Sequence, residues 1–257
     1  MNGIDIIPIK RMDIKGAYVI DGFPSVGLVG SIAANYLVSF LKLEQIAVID
    51  SMTFPAMSLV REGAPYAPVR IYAGPMGENV ENKIVVFVSE FPPPPEIVKP
   101  LASTLMDWVE DNKCRMLISP EGMPIPYEAA GEADSEVDLD RVMAVGSTPE
   151  TAKLLESHGI QRFETGIIMG LSGVLLNEGV NRGIDVVTIL SWAHAEYPDA
   201  RAAALCISAI DKLLLQMELD IKPLISEAEV IENHLKQLYK NAGKEQDIPK
   251  SKSIMYG

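Results

Sequence analysis

Positive charge is scarce in this sequence. Its 257 residues carry 22 Lys and Arg against 35 Asp and Glu, a formal net charge of −13. Binding to a phosphate backbone or an anionic membrane surface runs on clustered Lys and Arg, and no window of the chain holds such a cluster. No nucleic acid and no membrane is expected as a partner. Cysteine is nearly absent: Cys114 and Cys206 both sit in apolar runs, KCRMLIS and AAALCISAI. Both are expected as buried thiols rather than as a disulfide scaffold or metal site. Histidine numbers three, without ligand spacing, so neither a metal nor another cofactor is expected. No apolar run reaches the roughly 18–20 residues of a membrane span. The opening MNGIDIIPIKRMDIKG also lacks the basic-then-apolar shape of a secretory leader. The expected compartment is a reducing cytoplasm.

What the chain does have is a 48% hydrophobic fraction, enough at this length for a full core. Short β-branched runs alternate with segments of helical period. AYVID (17–21), IAVIDS (46–51), VRIYA (69–73), IVVFVSE (84–90), RMLISPE (115–121) and IDVVTILS (184–191) are expected strands, too continuous in apolar character to be half exposed. Helices are expected over 26–41, 96–111, 148–159, 172–183 and 198–219, with a last one after Pro223. Pro100 falls in the first turns of the second, where a missing N–H costs little. Strand and helix alternating throughout imply an α/β fold with a largely parallel sheet covered on both faces. No linker divides the chain. One domain over residues 1–240 is expected, ending in a C-terminal helix, with residues 241–257 as an appended flexible tail.

Several stretches approach known chemistry without reaching it. DGFPSVGLVG places Gly22, Pro24, Gly27 and Gly30 at the first strand–helix junction. A dinucleotide fingerprint needs G-x-G-x-x-G, and only Gly27-x-x-Gly30 is present; a P-loop needs a Lys that is missing. Ser25 lies in a spacing one residue too long for a nucleophile elbow. These four residues are expected to be structural, with glycine where no side chain fits; an anion site at this helix start stays open as an alternative. His194 and Glu196 open a zinc-deaminase signature, but only Cys206 follows where P-C-x-x-C is required, so His194 is expected in a loop or helix cap. YEAAGEADSEVDLD (127–140) holds six carboxylates and no base. Its alternating acids lack the sixth-position Gly of a calcium loop, and Val145 stands where the bidentate Glu belongs, so a solvated acidic loop is expected. FPPPPE (91–96) reads as a stiff connector into a helix. No catalytic constellation emerges.

The last residues, NAGKEQDIPKSKSIMYG (241–257), are polar until their tip. Such a segment buries too little apolar area to offset its ordering entropy. It reaches roughly 20–25 Å on average and about 60 Å fully extended. Met255 offers an apolar plug, Tyr256 a ring with a hydroxyl donor, and Gly257 a carboxylate, the elements of a carboxylate-capture peptide.

The blocks GFPSVGLVGSIAANYLVSFL (22–41), YAPVRIYAG (66–74) and HAEYPDARAAALCISAIDKLL (194–214) resemble the proteasome assembly chaperone family, the group named for its second eukaryotic member. The likeness extends over most of residues 15–220 and is most specific in its first block. The resemblance implies a three-layer α/β fold akin to nucleoside phosphorylases and hydrolases, used as an ATP-independent scaffold that assembles with itself or a relative. It also implies that the glycines of the first block determine the fold. Some members end in a hydrophobic–Tyr–any tail that docks between proteasome α-subunits, and Met255, Tyr256 and Gly257 match that motif position for position. The expectation is thus a proteasome assembly chaperone or proteasome-binding factor, homo-oligomeric, docking on the 20S α-ring. The main alternative is a nucleoside phosphorylase- or hydrolase-like enzyme with its site at the Gly22–Gly30 junction, where Ser25, Glu196 and Asp199 would be the first suspects. A third is a platform using its tail on some other ring.

Overall fold

The computed structural model describes residues 3–77, 79–125, 138–217 and 219–226. The acidic stretch up to residue 137, the part beyond residue 226 of the helix expected after Pro223, and the tail with Met255, Tyr256 and Gly257 lie outside the described residues. The described residues form eleven strands: β1 (Ile4–Pro8), β2 (Tyr18–Gly22), β3 (Glu44–Ser51), β4 (Leu59–Arg61), β5 (Ala64–Tyr66), β6 (Val69–Met76), β7 (Asn79–Ser89), β8 (Met116–Pro124), β9 (Val142–Gly146), β10 (Gln161–Arg162) and β11 (Val186–Ala193). The α-helices that accompany them include α1 (Val29–Phe40), α2 (Val98–Asp111), α3 (Pro149–Ser157), α4 (Gly170–Arg182) and α5 (Ala200–Ile210), and a helical turn begins at 222–226. Nine strands form one sheet in the order β1-β3-β6-β7-β2-β8-β11-β9-β10, while β4 and β5 make a separate hairpin.

The expected α/β alternation is there, but the sheet is mixed rather than largely parallel. The pairings β7–β2, β2–β8, β8–β11 and β9–β10 are parallel. β1–β3, β3–β6, β6–β7 and β11–β9 are antiparallel. The physical reason is connectivity. A parallel pair needs a long crossover, usually a helix, whereas β6 turns into β7 within the span Met76–Asn79 and must run back beside it.

Helices cover both faces. α1 and α5 pack on one, where Ala33, Leu37, Ala203 and Ile207 meet Ile20, Ile118 and Ile189. α2 and α4 pack on the other, where Leu101, Leu105 and Leu175 meet Val19, Phe87 and Leu117. The spacing of buried residues in α2, namely Leu101, Ala102, Leu105, Met106 and Val109, is the i, i+4, i+8 stripe of an amphipathic helix. α3 opens on a capping box between Thr148 and Thr151.

Two helices differ from expectation. The first breaks into a 3₁₀ turn at Val26–Leu28 before α1, because Gly27 and Leu28 adopt left-handed backbone (φ 62° and 54°). The last ends as an α-helix at Ile210 and loosens into a π-helical turn over Asp211–Leu215. Both Asp211 carboxylate oxygens there accept backbone N–H groups, from Met217 and Leu219. Cys206 is buried as expected, whereas Cys114 is only half-buried; neither is in a disulfide.

Candidate functional site

β7, β2, β8 and β11 run parallel, so their carboxyl ends open on one rim of the sheet, the usual place for a ligand crevice in α/β folds. A cavity of about 490 Å³ lies there. Its floor is Asp21 at the end of β2 and Glu121 in β8; its walls include Phe23, Met123, Ile168 and Leu171, and Pro92 and Pro93 of the proline connector close one side. The volume is within the ordinary range of small-molecule sites.

The glycine junction brings these parts together. A Cβ on Gly22 would sit 2.2 Å from the Ala34 Cβ and 2.3 Å from the Phe87 carbonyl oxygen. One on Gly30 would meet the Phe23 carbonyl at 2.6 Å, and one on Gly27 the His194 carbonyl at 2.9 Å. Gly122 in β8 sits under the Val26 carbonyl, 2.1 Å from where its Cβ would be. The turn Phe23–Leu28 therefore lies directly on the strand ends. Ser25 Oγ accepts the Gly30 N–H at 3.1 Å, which ties the turn to the first residues of α1. Pro24 and Ser25 both line the cavity.

The two floor carboxyls are held by neutral donors. Asp21 accepts the Phe23 N–H at 3.1 Å and the Ser119 hydroxyl at 2.9 Å. Burial nevertheless outweighs these bonds and pushes its carboxyl up to about 6. Glu121 accepts the Ser172 hydroxyl from the first turn of α4. Burial raises it to about 7 against that bond, and the neighbouring Asp21 charge adds to the rise. No Lys, Arg or His is among the described residues that line the cavity.

The three suspects for an enzyme site do not converge. Ser25 lines the cavity and Glu196 is exposed, while Asp199, the N-cap of α5, donates its N–H to the Gly27 carbonyl at 2.8 Å but does not line the cavity. Asp199 accepts the Ala202 N–H at 2.9 Å, the His194 N–H at 3.0 Å and His194 Nδ1 at 2.8 Å. Burial pushes its carboxyl up, but the bonds from Ala202 and His194 overcome this and leave it below the ordinary carboxylate value. His194 stacks on Tyr197 at 4.6 Å. This knot fastens the start of α5 to the end of β11. The sequence reading missed Asp21 and Glu121, although each is a lone acid at the end of an apolar strand run, AYVID and LISPE, and that was the available signal.

Exposed apolar side chains also occur away from the cavity. Ile9 is 60% exposed, and in the excursion between β3 and β6 Met52 is 98% and Val60 64% exposed. Arg70, fully buried under this excursion, is held by Glu90, by the Ala67 carbonyl at 2.6 Å and by the Tyr72 hydroxyl at 3.1 Å.

Among known proteins, the model of the PAC2 family matches residues 19–239. The structure of Pyrococcus furiosus PbaA, an archaeal homolog of proteasome-assembly chaperone, is similar at 30% identity, with 95% of this chain and 94% of that one covered and a TM-score of 0.78. Pyrococcus furiosus PbaB, an archaeal proteasome activator, shares the fold at 24% identity, with 93% and 100% covered and a TM-score of 0.78. An uncharacterized protein of Methanocaldococcus jannaschii is 25% identical over 228 residues, 89% of this chain and 87% of that protein.

Proposed function

The chain belongs to the PAC2 family, and from that premise we propose that it is an ATP-independent, proteasome-binding scaffold that docks on the 20S α-ring through Met255, Tyr256 and Gly257. The observation that carries this reading is the likeness to PbaA over nearly the whole of both chains. The tip itself adds the chemistry: an apolar plug, a phenol and a carboxylate, after a polar segment that reaches roughly 20–25 Å. Ordering such a segment costs free energy at the moment of binding, so one tail binds weakly. Several tails on one platform gain by avidity. A homo-oligomer is the platform that such avidity requires. The net charge of −13 disfavours nucleic acid as the partner. Among the described residues no helix is long and apolar enough to cross a membrane, and the protein works in the cytoplasm.

The direct test replaces one ring. Tyr256→Ala is expected to lose co-sedimentation with purified 20S proteasomes while its circular dichroism and oligomeric state stay as in the parent. Undiminished co-sedimentation of this variant would remove the tail from the mechanism.

A further inference from the structure

The strand-end cavity has a chemical imbalance. Two carboxyl groups, on Asp21 and Glu121, share a pocket whose other lining is mostly apolar, and none of the described residues that line it, from β2, the proline connector, α2, β8, α4 or β11, is a base. Asp21 is 4% exposed and Glu121 half-buried. Buried carboxyls without a cationic partner are costly when ionised.

A separate observation points to the same place. Thr188 is fully buried, and its hydroxyl has no hydrogen-bond partner among the described residues. In the parallel β8–β11 ladder Thr188 lies opposite Ser119, whose hydroxyl donates to Asp21. Thr188 projects from the same face of β11 as Leu190, two residues on, which lines the cavity. A buried hydroxyl left unmatched forfeits free energy, though Thr188 itself does not line the cavity. The polar side chains that line the cavity are two carboxyls and the hydroxyls of Ser25 and Ser172, with no positive charge among the described residues.

We propose that this cavity binds a small amphipathic cation, a protonated primary amine or amidine on an apolar body, with its charged head between Asp21 and Glu121 and its body against Phe23, Met123 and Leu171. A charge-assisted hydrogen bond to each carboxylate supplies the selectivity, and the apolar walls supply the burial. Such a ligand gains its partners only when the acids are ionised. Binding therefore tightens as pH rises through the range in which Asp21 and Glu121 lose their protons.

The experiment titrates the full chain with benzylamine and, as a neutral probe of nearly the same shape, benzyl alcohol, by calorimetry or ligand-observed NMR at pH 8 and pH 5. The expected result is saturable benzylamine binding at pH 8, about tenfold tighter than benzyl alcohol and about tenfold weaker at pH 5. Glu121→Gln is expected to remove most of the preference for the amine. Met169→Trp, at the exposed mouth of the cavity, is expected to weaken both probes while leaving the floor intact. Thermal melts establish that each variant is folded. Absence of saturable benzylamine binding at pH 8, equal affinity for the two probes, or benzylamine affinity unchanged in both folded variants would each overturn the assignment.

Discussion

Replacing Glu121 by Gln should stabilise the protein at alkaline pH and not at acid pH. In the unfolded chain this carboxyl has its ordinary value of 4.5, while in the folded protein burial raises it to about 7. Between those values the folded state holds more protons than the unfolded one, so stability falls as pH rises. Below pH 4.5 both states are protonated and the penalty is absent; above pH 7 it is fully present. The gap corresponds to about 3 kcal/mol. Gln keeps the shape and can still accept the Ser172 hydroxyl, but it has no proton to lose. The variant-minus-parent difference in unfolding free energy should therefore climb by about 3 kcal/mol between pH 4 and pH 8. Urea titrations of both proteins at matched ionic strength measure that difference directly, because titrations common to both cancel. A difference that stays flat over this range, or falls with pH, would refute the premise that the half-buried Glu121 carboxyl is desolvated without a cationic partner.

Gly22→Ala puts a methyl group 2.2 Å from Ala34 and 2.3 Å from the Phe87 carbonyl, and overpacking of that kind costs about 3 kcal/mol in urea unfolding; a change under about 0.5 kcal/mol would mean that the junction is looser than described. Glu90→Ala strips the carboxylate from a fully buried Arg70 and should cost about 3 kcal/mol, with Glu90→Gln recovering part of the loss.

The strands of the sheet's centre were legible because they are buried on both faces. β2, β7, β8 and β11 read as continuous apolar runs, and each was expected within a few residues of where it lies. Their directions were not legible. A strand covered by helices on both faces has the same composition whether its neighbour is parallel or antiparallel, so the mixed sheet could not be read from pattern. β1 escaped notice because only Ile4 of its five residues is buried, and β10 because it is two exposed residues long. β9 starts just after the acidic stretch and carries no turn signal of its own. The glycine junction was legible as a place where side chains do not fit, since three spaced glycines in one strand–helix turn have few other uses. The cavity beneath it was not, because Asp21 and Glu121 come from strands 100 residues apart in the chain and meet only through the order β2–β8. The stop of α5 at Ile210 was hidden as well, because Asp211 captures backbone N–H groups from Met217 and Leu219 within an otherwise uninterrupted helical pattern.

The measurement that bears most directly on the proposed role is binding of the full chain, and of a chain lacking Met255–Gly257, to immobilised 20S proteasome α-rings at low and moderate salt. Loss of binding on truncation at both salt concentrations, with secondary structure and oligomeric state unchanged, is the predicted result. Equal binding by the two chains, or binding by neither, would contradict it.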